Sequence, residues 1–331
     1  LRIKMDKCLF VILFSISSVL GDVYDVQRLR QTLFANYSRE AIPFDSNNSV
    51  KLQLRPPTII ESYLQEEKES LTIQMYIGMN WPDVRLSWEP VEFGGLQNIR
   101  ITAGDVWRPD LAIYSQNPII VLADMFSPTQ PIVYSNGNVL WVPPTTTSVP
   151  CVHDPSNWPF DTMLCNMTIG SWTFDATMLP ITYLKDEETL EDYKPAGEWK
   201  ITKFEGFLED TIYPCCPEPY TSLRVGIYVS RDAPLKGIFI LFTLALLVIK
   251  FVSIRFLVSK EKTSYFVSTT PEFLNTTFFI LGSECVLLGV LYSIIPSGAA
   301  LPHIVSFLVF MVCIELVTII FLSVTHKASK M

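Results

Sequence analysis

Three apolar runs fill the chain from Leu235 onward, and any fold open to it must keep those runs out of water. They cover about residues 235–258, 272–295 and 302–325, and each is long enough to cross a hydrocarbon layer of about 30 Å. A buried helical core is the competing reading, and the length and apolarity of the runs argue against it. Lys250 and Arg255 lie toward the far end of the first run, where long side chains reach an interface. Lys260 and Lys262 follow the first run, and Lys327 and Lys330 follow the third. With an exported N-terminal part, both basic clusters fall on the cytoplasmic side, as does the C-terminus.

The preceding part, residues 22–233, is mixed, Pro-rich and alternating, and carries most of the net charge of −8. That balance argues against a nucleic-acid partner and is compatible with a cationic ligand. Residues 1–21 read as a secretory signal peptide with some upstream residues: Met5 and Lys7 lead an apolar run from Cys8 to Leu20, with a cut expected after Gly21. A short membrane anchor is the alternative. Sequons at Asn36, Asn47 and Asn166 fit export. Residues 25–37 have helical spacing, whereas "SVKLQLR", "LTIQMYIGMNW", "IRITAG", "PIVYSNGNVLWV", "MTIGSWTF", "EWKITKFEGFLED" and "LRVGIYVS" read as strands separated by turns such as "SNGN" and "PDLA". Many short strands at this spacing predict an antiparallel sandwich or barrel.

Four exported cysteines, Cys151, Cys165, Cys215 and Cys216, allow three pairings, and an oxidising compartment favours bridges over thiols. For the adjacent Cys215 and Cys216, free thiols, two bridges to distant partners and one small ring all remain open at this point. Cys285 and Cys313 fall in apolar runs and are expected to be inert core thiols. Enzymatic chemistry finds little support. Only His153, His303 and His326 exist, no G-x-S-x-G nucleophile motif occurs, and adjacent cysteines lack zinc-ligand spacing, so neither metal nor cofactor is expected. An adhesion receptor would account for a sandwich with glycans but not for three closely spaced apolar runs.

The segment "CVHDPSNWPFDTMLC" sets thirteen residues between Cys151 and Cys165, with Trp158, Pro159, Phe160 and Asp161 at its tip. It resembles the signature loop of the Cys-loop, or pentameric ligand-gated channel, family. The resemblance implies a Cys151–Cys165 bond, which leaves Cys215 and Cys216 for each other. The pair in "YPCCPEPY" resembles the C-loop of nicotinic acetylcholine receptor α subunits, "WRPDLAIY" the first binding loop and "GSWTFD" the second. Tyr114, Trp172, Tyr213 and Tyr220, with Cys215 and Cys216, are then expected on the principal face of a ligand site between subunits. Any one of these aromatics taken singly reads as core, but four at motif-matched positions beside the cysteine pair read as a site. A quaternary ammonium is held by the negative faces of such rings, at roughly 0.5 to 2 kcal/mol each. On the complementary face the resemblance suggests Tyr76, where the family commonly has Trp, together with Leu140 and Val142. It further implies that Arg231 pairs with Glu66 or Glu67, and that the tip, Trp158 to Asp161, presses on "IIPSGAALP" between the second and third runs.

The expected architecture is therefore a β-sandwich extracellular ligand-binding domain followed by an α-helical transmembrane domain with three spans. The chain ends just past the third, where the family has a large cytoplasmic loop and a fourth span, and so reads as a truncated or divergent version. In the pore, Glu272 is expected at the intracellular mouth as an acidic ring favouring cations. A register starting at Glu261 and Lys262 would make the span far too long. Phe279 and Gly282 stand where members present a small polar residue and a leucine gate, and the first run lacks the family's proline. Glu284 costs about 2.5 kcal/mol or more in a membrane unless it faces water or a partner. The implied function is a subunit of a pentamer of identical or homologous chains, in contact with membrane lipid, that binds acetylcholine or a related quaternary amine and opens a cation pore. It would sit in the plasma membrane at synapses with its N-terminus outside. A non-conducting member and an amine-gated anion channel are the alternatives; Pro271 leans toward the anion channel and Glu272 against it.

Overall fold

Along the strand Tyr220–Arg231, Leu223, Val225, Ile227 and Val229 are buried while Arg224 and Tyr228 point outward. This period of two is what a strand needs when one face covers a core. The computed structural model describes residues 23–115, 120–121, 129–238 and 302–329, with positions 240, 241, 243, 245, 278, 279, 281–283, 285, 286 and 288–290. The proposed signal segment and Glu272 lie outside the described residues.

A helix over residues 23–34 precedes fifteen strands among the described residues. They are β1 (Leu52–Leu54), β2 (Thr58–Gln65), β3 (Ser70–Tyr76), β4 (Met79–Ser87), β5 (Asn98–Arg100), β6 (Leu111–Ile113), β7 (Ile120–Val121), β8 (Ile132–Tyr134), β9 (Asn136–Trp141), β10 (Pro144–Asp154), β11 (Thr162–Ser171), β12 (Ile181–Tyr183), β13 (Lys194–Pro195), β14 (Trp199–Thr211) and β15 (Tyr220–Arg231). One sheet runs β12-β1-β4-β9-β8-β5, the other β13-β2-β3-β10-β11-β15-β14, with β6 on the end of β11 and β7 on β6. A single apolar core draws on both, from Leu52, Trp81 and Trp141 on one side to Leu71, Met167 and Val225 on the other. This is the sandwich.

Several elements differ from the sequence reading. "LTIQMYIGMNW" is two strands in different sheets, β3 and β4, and the chain crosses at Gly78, where a side chain would sit 3.0 Å from Arg55. "PDLA" is partly strand, because Leu111 and Ala112 pair with Ser171 and Gly170. Strands β2 and β10 went unread. Cys285 and Cys313 are exposed rather than packed inside. The third apolar run is one helix, His303–Ser329, of 27 residues. Among the described residues no helix is long and apolar enough to cross a membrane; side chains at 315, 318, 319, 321–323 and from 325 onward lie outside the described set.

The β8–β9 turn makes a local prediction. Gly137 has φ of 84°, and a Cβ there would lie 2.7 Å from the Asp83 carbonyl oxygen. Gly137→Ala is expected to destabilise the sandwich by about 1 to 3 kcal/mol, read as a lower thermal midpoint of the full chain. An unchanged midpoint would remove the steric argument.

Candidate functional site

Tyr114 follows β6, and Trp172 follows β11, the strand that pairs with β6. Their rings meet edge to face with centroids 6.0 Å apart. Tyr213 and Tyr220 bracket the loop between β14 and β15, whose last rung pairs Thr211 with Tyr220; their rings meet edge to face at 5.7 Å. The Tyr114 hydroxyl is pushed up by burial and then by the nearby Tyr213, Asp110 and Tyr220, which ties the two ring pairs into one group. Trp172 is 60% exposed and Tyr213 41% exposed, although aromatics of this size usually bury most of their surface. Cys215 and Cys216 are bonded to each other within this loop, and the Cys216 N–H donates to the Tyr213 carbonyl at 3.1 Å.

Asp110 holds Trp172 in place, a role the sequence reading missed although it lies in the quoted "WRPD". Its carboxylate accepts from Ser171 Oγ at 2.6 Å and from the Thr173 N–H at 2.7 Å, on either side of the tryptophan. Its backbone carbonyl accepts the Trp172 N–H at 3.4 Å. The Tyr114 hydroxyl donates to the Ser171 carbonyl, so one short segment anchors two of the four rings.

The other expected ligand contacts lie elsewhere. Tyr76, 41% exposed, ends β3 opposite Pro144 and lines a shallow cavity of about 330 Å³ with Gln74 and Thr146. Val142 is exposed just past β9, and Leu140 is half-buried on β9. Strands β10, β11 and β15 stand between β3 and β14. Tyr76 lies on β3, outside the ends of β6, β11, β14 and β15 that carry the four rings. Asn36, Asn47 and Asn166 are all exposed. Among the described residues no cluster of His, Cys, Asp or Glu is placed to hold a metal.

A second constellation sits at the opposite end of β11 and β15. Cys151 and Cys165 face each other across β10 and β11 and are bonded. Between them, Asp161 accepts from Arg231 Nε at 2.7 Å and Nη2 at 3.0 Å. Arg231 also binds Glu66 through Nη1 at 3.0 Å and Nη2 at 2.9 Å, while Glu67 takes no part in this cluster. Three further members were not read from sequence. Glu198 accepts from Arg231 at 3.3 Å and from Lys236 at 2.6 Å, Trp199 lies 4.3 Å under the guanidinium and donates to Glu66, and His153 bonds Asp161 at 2.6 Å. Trp158, 4% exposed, packs with Ile240 and Leu308, and Phe160 stands against Gly237. The tip thus touches the first and third apolar runs; most of "IIPSGAALP" lies outside the described residues.

Residues 26–233 match the family described as the neurotransmitter-gated ion-channel ligand binding domain. The chain belongs to that family. Members of these Cys-loop receptors are ligand-gated channels and not enzymes. The chain is 28% identical over 339 residues to acetylcholine receptor subunit alpha-like 2 of Drosophila melanogaster, covering 97% of this chain and 56% of that protein. It is 26% identical to acetylcholine receptor subunit alpha-1-A of Xenopus laevis, covering 96% and 69%, and 28% identical to human neuronal acetylcholine receptor subunit alpha-2, covering 91% and 56%. It therefore spans little more than half the length of the first and third of these relatives.

Charge at the junction sets a pH dependence. Burial alone would raise the Asp161 carboxyl, but hydrogen bonds from His153 and Arg231 and the guanidinium charge outweigh it and hold the group at about 2. A carboxyl lower in the folded state than its ordinary value, about 3.9, contributes stability that is present above that value and lost as pH falls through the folded one. The thermal midpoint of the full chain should therefore drop between about pH 4 and pH 2, and drop less in Asp161→Asn. Identical acid profiles for the two proteins would contradict this placement of the charge.

Proposed function

We propose that this chain is an α-type subunit of an acetylcholine-gated, or related amine-gated, cation channel. The observation that carries the reading is the exposed aromatic group: Trp172 and Tyr213 present ring faces to solvent beside Tyr114 and Tyr220. Rings in that arrangement suit a cation that has no hydrogen to donate. Tyr76, Leu140 and Val142, on other strands than the four rings, would supply the other wall from a neighbouring identical or homologous subunit. Five such subunits around an axis would each lend a principal face to one neighbour and a complementary face to the other. Ligand capture closes the Cys215–Cys216 loop, and β15 carries that movement to Arg231 and the apolar helices.

Membrane insertion belongs to the same proposal. The helix His303–Ser329 would measure about 40 Å at 1.5 Å per residue, and the two earlier runs complete three spans in the plasma membrane. The acidic ring at Glu272 rests on the sequence alone. A second reading, a non-conducting subunit that binds ligand or modulates assembly, is favoured by Phe279 and Gly282 at positions that gate ions in the family. Voltage-clamp recording with parallel surface labelling separates the two. Agonist-evoked current that reverses with the sodium gradient is expected. Surface protein that binds agonist and passes no current with any partner subunit would favour the second reading.

Trp172→Ala and Tyr213→Ala are each expected to weaken agonist binding roughly tenfold with surface expression retained, from the loss of one cation–π face of about 0.5 to 2 kcal/mol with its packing. Asp110→Ala should weaken binding with both rings still present, because it frees the segment that holds Trp172. Unchanged affinity in the two ring variants would sink the aromatic cage.

A further inference from the structure

His153 belongs to the charge cluster without a fixed charge of its own: its side chain is 2% exposed and bonded to an Asp161 that is fully buried. Asp161 Oδ2 takes both His153 Nε2, at 2.6 Å, and Arg231 Nη2, at 3.0 Å. Histidine and arginine thus share one carboxylate oxygen at the contact between signature loop and β15. The charged groups around this point come from every neighbouring element. Glu66 follows β2, Asp154 ends β10, Asp161 lies on the loop, Glu198 precedes β14, Arg231 ends β15, Lys236 opens the first apolar helix and His303 the last. Asp154 is exposed; its carboxyl is held low first by hydrogen bonds with Ser156 and then by His153 and His303.

In the linked core of this cluster, Glu66, Asp161 and Glu198 face only Arg231 and Lys236 as fixed cations. We propose that His153 is a proton-binding site, and that a proton there supplies the missing positive charge and shifts Asp161 from Arg231 toward the histidine. The proton binds the imidazole lone pair and no other bond is made or broken. Arg231 is then left more fully to Glu66 and Glu198, so the signature loop loosens its hold on β15 as pH falls. The gating half of this inference rests on the channel reading above; the proton site does not.

Two measurements on the full chain keep these halves distinct. Trp199 lies edge to face with His153 at 6.1 Å, near enough for an imidazolium to quench it. Purified chain in detergent should show a tryptophan fluorescence quench as pH is lowered from about 8 to about 5. The quench should vanish in His153→Gln and shrink in Trp199→Phe, with His153→Asn as a second variant should the first fold poorly. A wild-type chain with no quench, or an equal quench in the folded His153 variants, overturns the proton site. In recordings, the half-maximal agonist concentration should move about fivefold across that range in the wild type and stay nearly fixed in His153→Gln. Equal pH dependence in both would keep the proton site and overturn its link to gating. No agonist current at any pH, with the quench present in the wild type and lost in the variant, supports the proton site and counts against the channel reading.

Discussion

Arg231 is a full charge with almost no access to water, and its position is tolerable only because Glu66, Asp161 and Glu198 reach it from separate excursions of the chain. Replacing such a cluster with apolar groups often costs nothing in stability, whereas removing one partner is expensive. What it supplies here is uniqueness. The turn after β2, the signature loop, the start of β14 and the end of β15 meet in the one arrangement where all three carboxylates reach the guanidinium. The first apolar helix leaves from that point, since it begins three residues after Arg231.

The same two strands own both ends of the molecule's chemistry. Strand β11 begins beside Asp161 and ends before Trp172, and β15 begins at Tyr220 and ends at Arg231. They pair without a break in register from Thr162 and Ser230 to Gly170 and Ser222. Twelve residues of β15 span about 37 Å. A shift of the aromatic loop therefore reaches the charge cluster along a continuous ladder and needs no chain of loose contacts. The neighbouring β14 has a register irregularity between Ile201 and Lys203, next to Trp199 and so at the charged end rather than the aromatic end.

How much of this could be read from sequence depended on whether a residue's role was local. The alternation of "LRVGIYVS" and the spacing of Cys151 and Cys165 are local patterns, and both correspond to what the chain does. Strand β10 defeated the reading because Pro144 and Pro150 argue against a paired strand. Both prolines share one parity, and the N–H of Cys151, of the other parity, donates toward β3. The missing N–H groups thus point to the side where β11 joins only from Cys151 onward. In β2 a bulge between Ile59 and Glu61 breaks the period of two, so buried Ile59, Ser62 and Leu64 look irregular in one dimension. Asp110, Glu198 and Trp199 act through partners tens of residues away, and no spacing in the sequence announces such a contact; His153 meets Asp161 across the signature loop.

The sandwich and the helices answer the hydrophobic demand in opposite ways. In the sandwich, Trp81, Trp141, Leu71 and Ile227 are almost wholly enclosed by the chain's own two sheets. On the helices, Leu241, Phe279, Val286, Phe310, Val317 and Ile320 are exposed, and among the described residues a small cluster around Trp158, Ile240 and Leu308 ties them to the rest. Apolar surface on that scale is not stable in water, at about 25 cal/mol for each square ångström. Something outside this chain has to cover it, whether lipid, further copies or both. The one cluster the chain does form lies where the signature loop meets the helices. The internal link between the two parts is thus built at the junction, while the packing of the helices is left to their surroundings.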